Sequence, residues 1–313
     1  MTGEPLRPRL RTPAGRVAAA LLAGGALLGV GACSDSAPSG PKDDQGAGAP
    51  PAVAQSGLTK GLALPMAAYM ENYPQRVTID RAVGLLTRDC MARFGLSYDP
   101  PAPDANPASI YDDTNMVRRY GLTDRESAAK LGYGLGTESY TPPPAPKMSA
   151  AQVAVFSGRV ELKPDAPEAP PTFNGIPIPR EGCRREARNK VGGILDTGLS
   201  GRLDNESFDT SKAAPEVQAA LAQWSSCMAG KGYTVDLPEN AFRLAPRNSS
   251  GAVGSAEITL ALADVDCKES VNLVGVWFET ESRIQRELIE KNQLALTEIR
   301  DRIEAAVKAA AAR

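Results

Sequence analysis

Two stretches decide the reading of the fold: "CMARFGLSYDPP" at residues 90–101 and "CMAGKGYTVDLPE" at residues 227–239. Each runs Cys-Met, three residues, Gly, then a tyrosine and a proline. Upstream of the first, Ile79, Val83, Leu86, Cys90 and Phe94 recur at three-to-four spacing, which puts them on one helical face. Gly95 follows where a helix C-cap wants a glycine. Upstream of the second, Val217, Leu221, Trp224 and Met228 are similarly in line, and Pro215 suits the first helical turn, where a missing N–H costs nothing. A looser match links "CRREARNKVGG" at Cys183 with "CKESVNLVGV" at Cys267. The chain can thus be read as two versions of one plan, a helix ending Cys-Met-x3-Gly and a second Cys-bearing helix, although two copies alone do not establish a repeat.

Outward from these stretches the periodic signals remain helical. Thr123 with Glu126 and Ser149 with Gln152 are capping-box spacings that predict short helices near 124–131 and 150–157. The segment from Ser255 to Ala311 reads as helix at almost every turn, about 85 Å if unbroken at 1.5 Å per residue. Proline-rich stretches at 100–107, 142–146 and 164–179 separate the pieces, and Asn174–Gly175 in "FNGIPIP" suggests a small hairpin. The expected fold is mainly α, a disulfide-stapled helical domain with a long C-terminal helix, with two loosely similar halves left open.

The N-terminus gives the chain an address. Residues 1–16 are basic and proline-rich, and Val17 to Ala32 is an unbroken run of Ala, Leu, Val and Gly. That run is short for a membrane span of ~20 residues, and polar sequence follows at once. Val30, Gly31, Ala32 and Cys33 resemble the lipobox of bacterial lipoproteins, which implies cleavage and lipidation at Cys33. The alternative is a plain secretory signal with an incidental cysteine. Seventeen of the 24 residues from Ser34 to Gly57 are Ala, Gly, Pro or Ser, so this linker is expected to be disordered. The expected organisation is a signal peptide at 1–32, a lipid-anchored linker at 33–57, a helical domain at 58–282 and a projecting helix end at 283–313.

Composition excludes several activities. The 313 residues contain no histidine, which removes Ser-His and Cys-His nucleophiles and the commonest general base. The net charge is −2, without the basic face that nucleic acid requires. Four cysteines remain after Cys33, and in an exported chain an even number reads first as a disulfide framework. The internal echo selects Cys90–Cys183 and Cys227–Cys267 among three pairings. The rival is a soft metal site at Cys90-Met91 and Cys227-Met228, disfavoured because adjacent helical residues point about 100° apart. No metal and no cofactor are expected.

Other motifs are weak. Ser127-Ala-Ala-Lys130 matches the Ser-x-x-Lys of penicillin-binding enzymes, but Ser-Asp-Asn and Lys-Thr-Gly are missing. The Gly198–Gly201 stretch "GLSG" lacks a nucleophile elbow. The pairs Asp264/Asp266 and Asp112/Asp113 read as solvated helix or loop ends. Gly132–Gly136 reads as a loop, and Trp224 and Trp277 as packing around the second disulfide.

"TRDCMARFGL", "MVRRYGL", "KLGYG", "AQWSSCMAGKGY" and "ADVDCKESVNLVG" occur in that order over about residues 62–290. In this the chain resembles a family of actinomycete lipoproteins without an assigned activity. The resemblance implies an envelope lipoprotein, extracytoplasmic and held to the cell membrane through a lipid on Cys33. The expected function is non-enzymatic binding or scaffolding. The alternatives are a cell-wall hydrolase using carboxylates alone, or a small-molecule carrier serving a transporter. Ile289, Asn292, Leu296, Ile299 and Ile303, with Ala306, follow coiled-coil spacing. They are the interface candidates for a protein partner or self-association, and truncation after Glu281 is expected to leave a folded domain. A projecting apolar stripe would favour the scaffold, paired carboxylates in a cleft the hydrolase, and an apolar pocket the carrier.

Overall fold

The two Cys-Met-x3-Gly stretches close their helices in the same way. In helix α1 (Tyr73–Ala92) and helix α6 (Pro215–Gly230) the methionine is fully buried and the glycine, Gly95 or Gly232, has positive φ. The next amide donates back to the methionine carbonyl, Leu96 to Met91 at 3.2 Å and Tyr233 to Met228 at 2.9 Å. This is the geometry that satisfies orphan carbonyls at a helix C-terminus. The computed structural model describes residues 54, 56–103, 114, 116–135, 146–245 and 253–313. The signal peptide, Cys33 and the pair Asp112/Asp113 lie outside the described residues.

The remaining helices are α2 (Arg125–Leu131), α3 (Ala150–Ser157), α4 (Gly182–Lys190), α5 (Gly198–Lys212), α7 (Pro238–Ala241), α8 (Ser255–Ser270), α9 (Leu273–Lys291) and α10 (Gln293–Ala311). A two-residue hairpin pairs β1 (Thr172–Phe173) with β2 (Ile176–Pro177) through Asn174 and Gly175, both at positive φ. Ser149 and Gln152 form the expected capping box. The cap of α2 falls one residue later than the sequence suggests: Asp124, not Thr123, accepts from the Ser127 amide at 2.7 Å.

Both disulfides join as the echo predicts. Cys90–Cys183 ties α1 to α4 with Cα atoms 5.6 Å apart, and Cys227–Cys267 ties α6 to α8 at 5.7 Å, ordinary disulfide spans. The likeness of the halves stops there, because Cys183 opens its helix whereas Cys267 lies in the last turn of α8.

The largest core lies where α6, α8 and α9 meet around Trp224, Trp277, Tyr120, Met228, Leu260 and Leu273. Trp224 and Trp277 pack in the same cluster as Cys267. A second core packs α1, α4 and α10, and a third packs α1, α3 and α4 around the first disulfide. Ala54 is already buried, its carbonyl accepting from the Gly61 amide at 2.9 Å. The packed body therefore begins inside the segment read as linker.

From Ser255 the chain is helical to Ala311 and ends in a long helix, but it is not one continuous rod. Asn272 takes the left-handed conformation between α8 and α9, and Asn292 leaves helical geometry between α9 and α10. An isolated αL residue is a stop signal that Asn tolerates well. The expected projection of residues 283–313 is corrected accordingly. Its first part is the end of α9, and α10 lies on α1, with Ala306 and Ala310 against Ile79, Ala82, Ala187 and Val191. Gly192, at φ 102°, passes so close that a Cβ there would sit 3.2 Å from that of Ala306. Among the described residues no helix is long and apolar enough to cross a membrane.

Candidate functional site

The five residues expected at an interface are wholly or partly covered by the body itself. Leu296 and Ile303 are buried, and Ile289 and Ile299 pack half-buried around Met66, Leu203 and Leu296. Asn292 is no register-setting seam residue: its side-chain amide donates to the Leu288 carbonyl at 2.8 Å and finishes α9. The apolar stripe lies along the end of α9 and α10, and its buried residues pack within the body.

Carboxylates are gathered in two buried networks. In one, Arg119 Nη1 donates to Asp204 Oδ2 at 2.6 Å and Nη2 to Glu281 Oε1. Tyr120 donates to Glu281 Oε2 at 2.7 Å. Gln285 Nε2 donates to Asp204 Oδ1 and to Ser207 Oγ, both at 2.9 Å, while its Oε1 accepts from the Met66 amide at 2.8 Å. Burial, reinforced by Glu281, pushes the Tyr120 hydroxyl far above its ordinary range, so it remains a donor. Asp204 and Glu281 are thus held by one guanidinium inside the protein rather than facing each other across an open cleft.

The second network corrects the reading of Asp264 as a solvated helix end. Asp264 is fully buried and accepts from Trp224 Nε1 at 3.0 Å, Tyr133 OH at 3.2 Å and Lys268 Nζ at 3.0 Å. Lys268, also fully buried, donates in addition to the Leu122 carbonyl at 2.7 Å. Desolvation raises the Asp264 carboxyl and lowers the Lys268 ammonium, each opposed by the other's charge. Asp266 does face outward, paired with Arg125. Lys130 pairs with Glu126 on the exposed side of α2, and Ser200 donates to the Thr197 carbonyl at 2.9 Å. Tyr133 donates through its amide to Glu257 at 3.1 Å, fixing the start of the glycine-rich loop, whose Gly136 lies outside the described residues. Among the described residues no cluster of three or more metal-ligating acidic, cysteine or histidine side chains forms.

A cleft of about 350 Å³ opens between α1, α3 and α4. On α1, Asp80, Val83, Gly84 and Thr87 share one face at three-to-four spacing. Thr87 donates its hydroxyl back to the Val83 carbonyl at 2.7 Å, so the polar atom is satisfied within α1. The chain leaving α1 supplies Tyr98, Pro100, Pro101 and Pro103, and Pro146, Met148, Phe156 and Leu162 complete an apolar wall. Gly84 explains how the proline segment comes so near: a Cβ there would lie 2.8 Å from the Pro100 Cβ.

Two arginines stand one helical turn apart at the mouth, on α4. Arg188 pairs with Asp80 at 3.1 Å. Arg184 lies over the Phe156 ring, 5.9 Å from its centroid, with no carboxylate within ion-pair distance among the described residues. Burial raises the Tyr98 hydroxyl, against the pull of Arg184, so it stays protonated. Two other grooves are larger and more committed. That between α5 and α9, about 650 Å³, has Arg283 paired with Glu216 and Glu287. That beside the hairpin, about 700 Å³, is lined largely by turn residues, with Arg159 bound to the Ala166 carbonyl at 2.7 Å.

Val83, Tyr98 and the prolines of the cleft fall in stretches read for their helical or turn signals, and none of the lining residues is marked there as a site. The signals that could have found them are a glycine inside an otherwise apolar helix face, which argues for close packing, and the pair Arg184/Arg188 on the helix that Cys183 ties to α1. No family model, curated protein or solved structure matches the chain.

Proposed function

We propose that the chain is a cell-envelope lipoprotein, tethered through Cys33 to the outer face of the cytoplasmic membrane, whose helical body binds a small ligand without transforming it. The anchor rests on the sequence: an apolar run ending in a lipobox-like Val30–Cys33, then a polar linker. The resemblance to actinomycete lipoproteins agrees with that address. Binding rests on one observation, the apolar cleft with a guanidinium at its mouth that has no ion-pair partner among the described residues. Small-ligand sites are concave, mostly apolar and carry a few placed polar groups. Scaffolding through the C-terminal stripe loses its support, since those side chains pack within the body. Hydrolysis by carboxylates is the weaker alternative, since Asp204 and Glu281 are buried on Arg119.

The test uses full-length protein extracted from its own envelope in mild detergent. Native mass spectrometry should find a small molecule on the wild type and none on Met148→Trp, which fills the cleft. Cys33→Ser should leave the detergent phase. Identical ligand-free spectra for both proteins would refute ligand binding, and a wild type that partitions into water would refute the anchor.

A further inference from the structure

We infer that the cleft takes an aromatic monocarboxylate, a compact ring body with a single anionic head; this rests on the reading of the cleft as the ligand site. The body is specified by the walls. Tyr98 and Phe156 meet with ring centroids 5.3 Å apart at 44°, an aromatic corner that offers a face to one edge of a flat guest. The remaining wall is proline and aliphatic surface, and about 350 Å³ lies at the small end of ligand pockets. That size suits one or two fused rings and not a long acyl chain.

The head is specified by charge. Among the lining residues Arg184 and Arg188 contribute +2 and Asp80 −1, a net +1 at the mouth. Asp99, which neighbours Tyr98 in sequence, is exposed and does not line the cleft. Arg188 is already engaged by Asp80, whereas Arg184, over the Phe156 ring, has no ion-pair partner among the described residues. A planar guanidinium matches a carboxylate through two parallel hydrogen bonds. A dianionic phosphate would carry one charge more than the site balances. The Tyr98 hydroxyl is a further neutral donor in the same lining.

Titration calorimetry on the full-length chain in nanodiscs decides this, with 2-naphthoate as probe, 2-naphthamide as its neutral isostere and 2-naphthyl phosphate as the dianion. Naphthoate should bind at one site, about tenfold more tightly than the amide, since one charge-assisted contact at a partly exposed mouth is worth roughly that factor. Naphthyl phosphate should bind no more tightly than naphthoate. Arg184→Met, at an exposed position, should weaken naphthoate about tenfold and leave the amide unchanged. Met148→Trp should abolish binding of both; Leu162→Trp, at the exposed rim, serves if the first does not fold. Equal affinity for acid and amide, indifference to Arg184→Met, or a preference for the phosphate overturns the ligand class while the cleft stands. Binding of no probe, or binding untouched by both tryptophan variants, overturns the cleft as ligand site and the inference with it.

Discussion

Lys268→Met probes how the larger core holds its charges. The ammonium is fully buried, 2.7 Å from the Leu122 carbonyl and 3.0 Å from Asp264. Methionine preserves the bulk of the chain but leaves the Asp264 carboxylate with two neutral donors, Trp224 and Tyr133. Burial already pushes that carboxyl up, and Lys268 is the foremost group pulling it down. Without the lysine, the least unfavourable response is to take up a proton. An Asp in the unfolded chain titrates near 4, and each pH unit above that costs about 1.4 kcal/mol, so protonation costs about 4 kcal/mol at pH 7 and about 1.4 kcal/mol at pH 5. The stranded Leu122 carbonyl adds about 1 kcal/mol. The total at pH 7, about 5 kcal/mol, agrees with the usual cost of breaking a buried pair. In sign, the folded variant binds this proton more tightly than the unfolded chain, so its stability relative to wild type falls as pH rises above about 4. Urea titrations at pH 5 and pH 7, followed by the fluorescence of Trp224 and Trp277 and by far-UV circular dichroism, measure both losses. Adding Asp264→Asn should abolish the difference between the two pH values. A loss equal at both, or below about 1 kcal/mol at pH 7, refutes a charged pair in this core.

Gly84→Ala should destabilise despite alanine's helix preference of about 1 kcal/mol, because the new methyl meets the Pro100 Cβ at 2.8 Å and overpacking typically costs about 1–3 kcal/mol. A higher melting temperature with unchanged naphthoate binding would show that the proline segment yields freely. Truncation after Glu281, expected from sequence to leave a folded domain, should instead abolish cooperative unfolding. It removes buried Leu296 and Ile303, worth about 1.5–3 kcal/mol each, and uncovers Ile79 and Ala82. A sharp urea transition in the truncated chain would refute the packed placement of α10.

The parts legible in the sequence are those whose cores are apolar. Periodic Ile, Val, Leu and Trp marked α1 and α6, and the shared Cys-Met-x3-Gly ends gave the disulfide pairing. Helix α5 went unread because the residues it buries are Ser200, Leu203, Asp204, Ser207 and Ser211, four of them polar. Their burial is made tolerable by Arg119 and Gln285, which arrive from distant sequence, and no local pattern announces such partners. The breaks at Asn272 and Asn292 were hidden because apolar spacing continues across both. The cleft was hidden for another reason: proline stretches signal an end to regular structure, not which surface they then cover.

The two halves differ in what they do with their interior, and this gives α10 its part. Around Cys227–Cys267 the space is filled by two tryptophans, each donating its indole N–H to a buried polar side chain, Asp264 or Ser211. Around Cys90–Cys183 one face of α1, through Asp80, Val83, Gly84 and Thr87, becomes the cleft wall. Here α1 is tied covalently to α4 at Cys90, and near its first turns Ile79 and Ala82 lie in one core with Ala306 and Ala310 of α10. Arg184 and Arg188 follow Cys183 directly on α4, so the same disulfide that fixes the wall fixes the charged mouth opposite it. Of the stripe spaced like a docking seam, Ala306 belongs to this backing of α1, while Ile289, Leu296 and Ile299 pack instead around Met66 and Leu203.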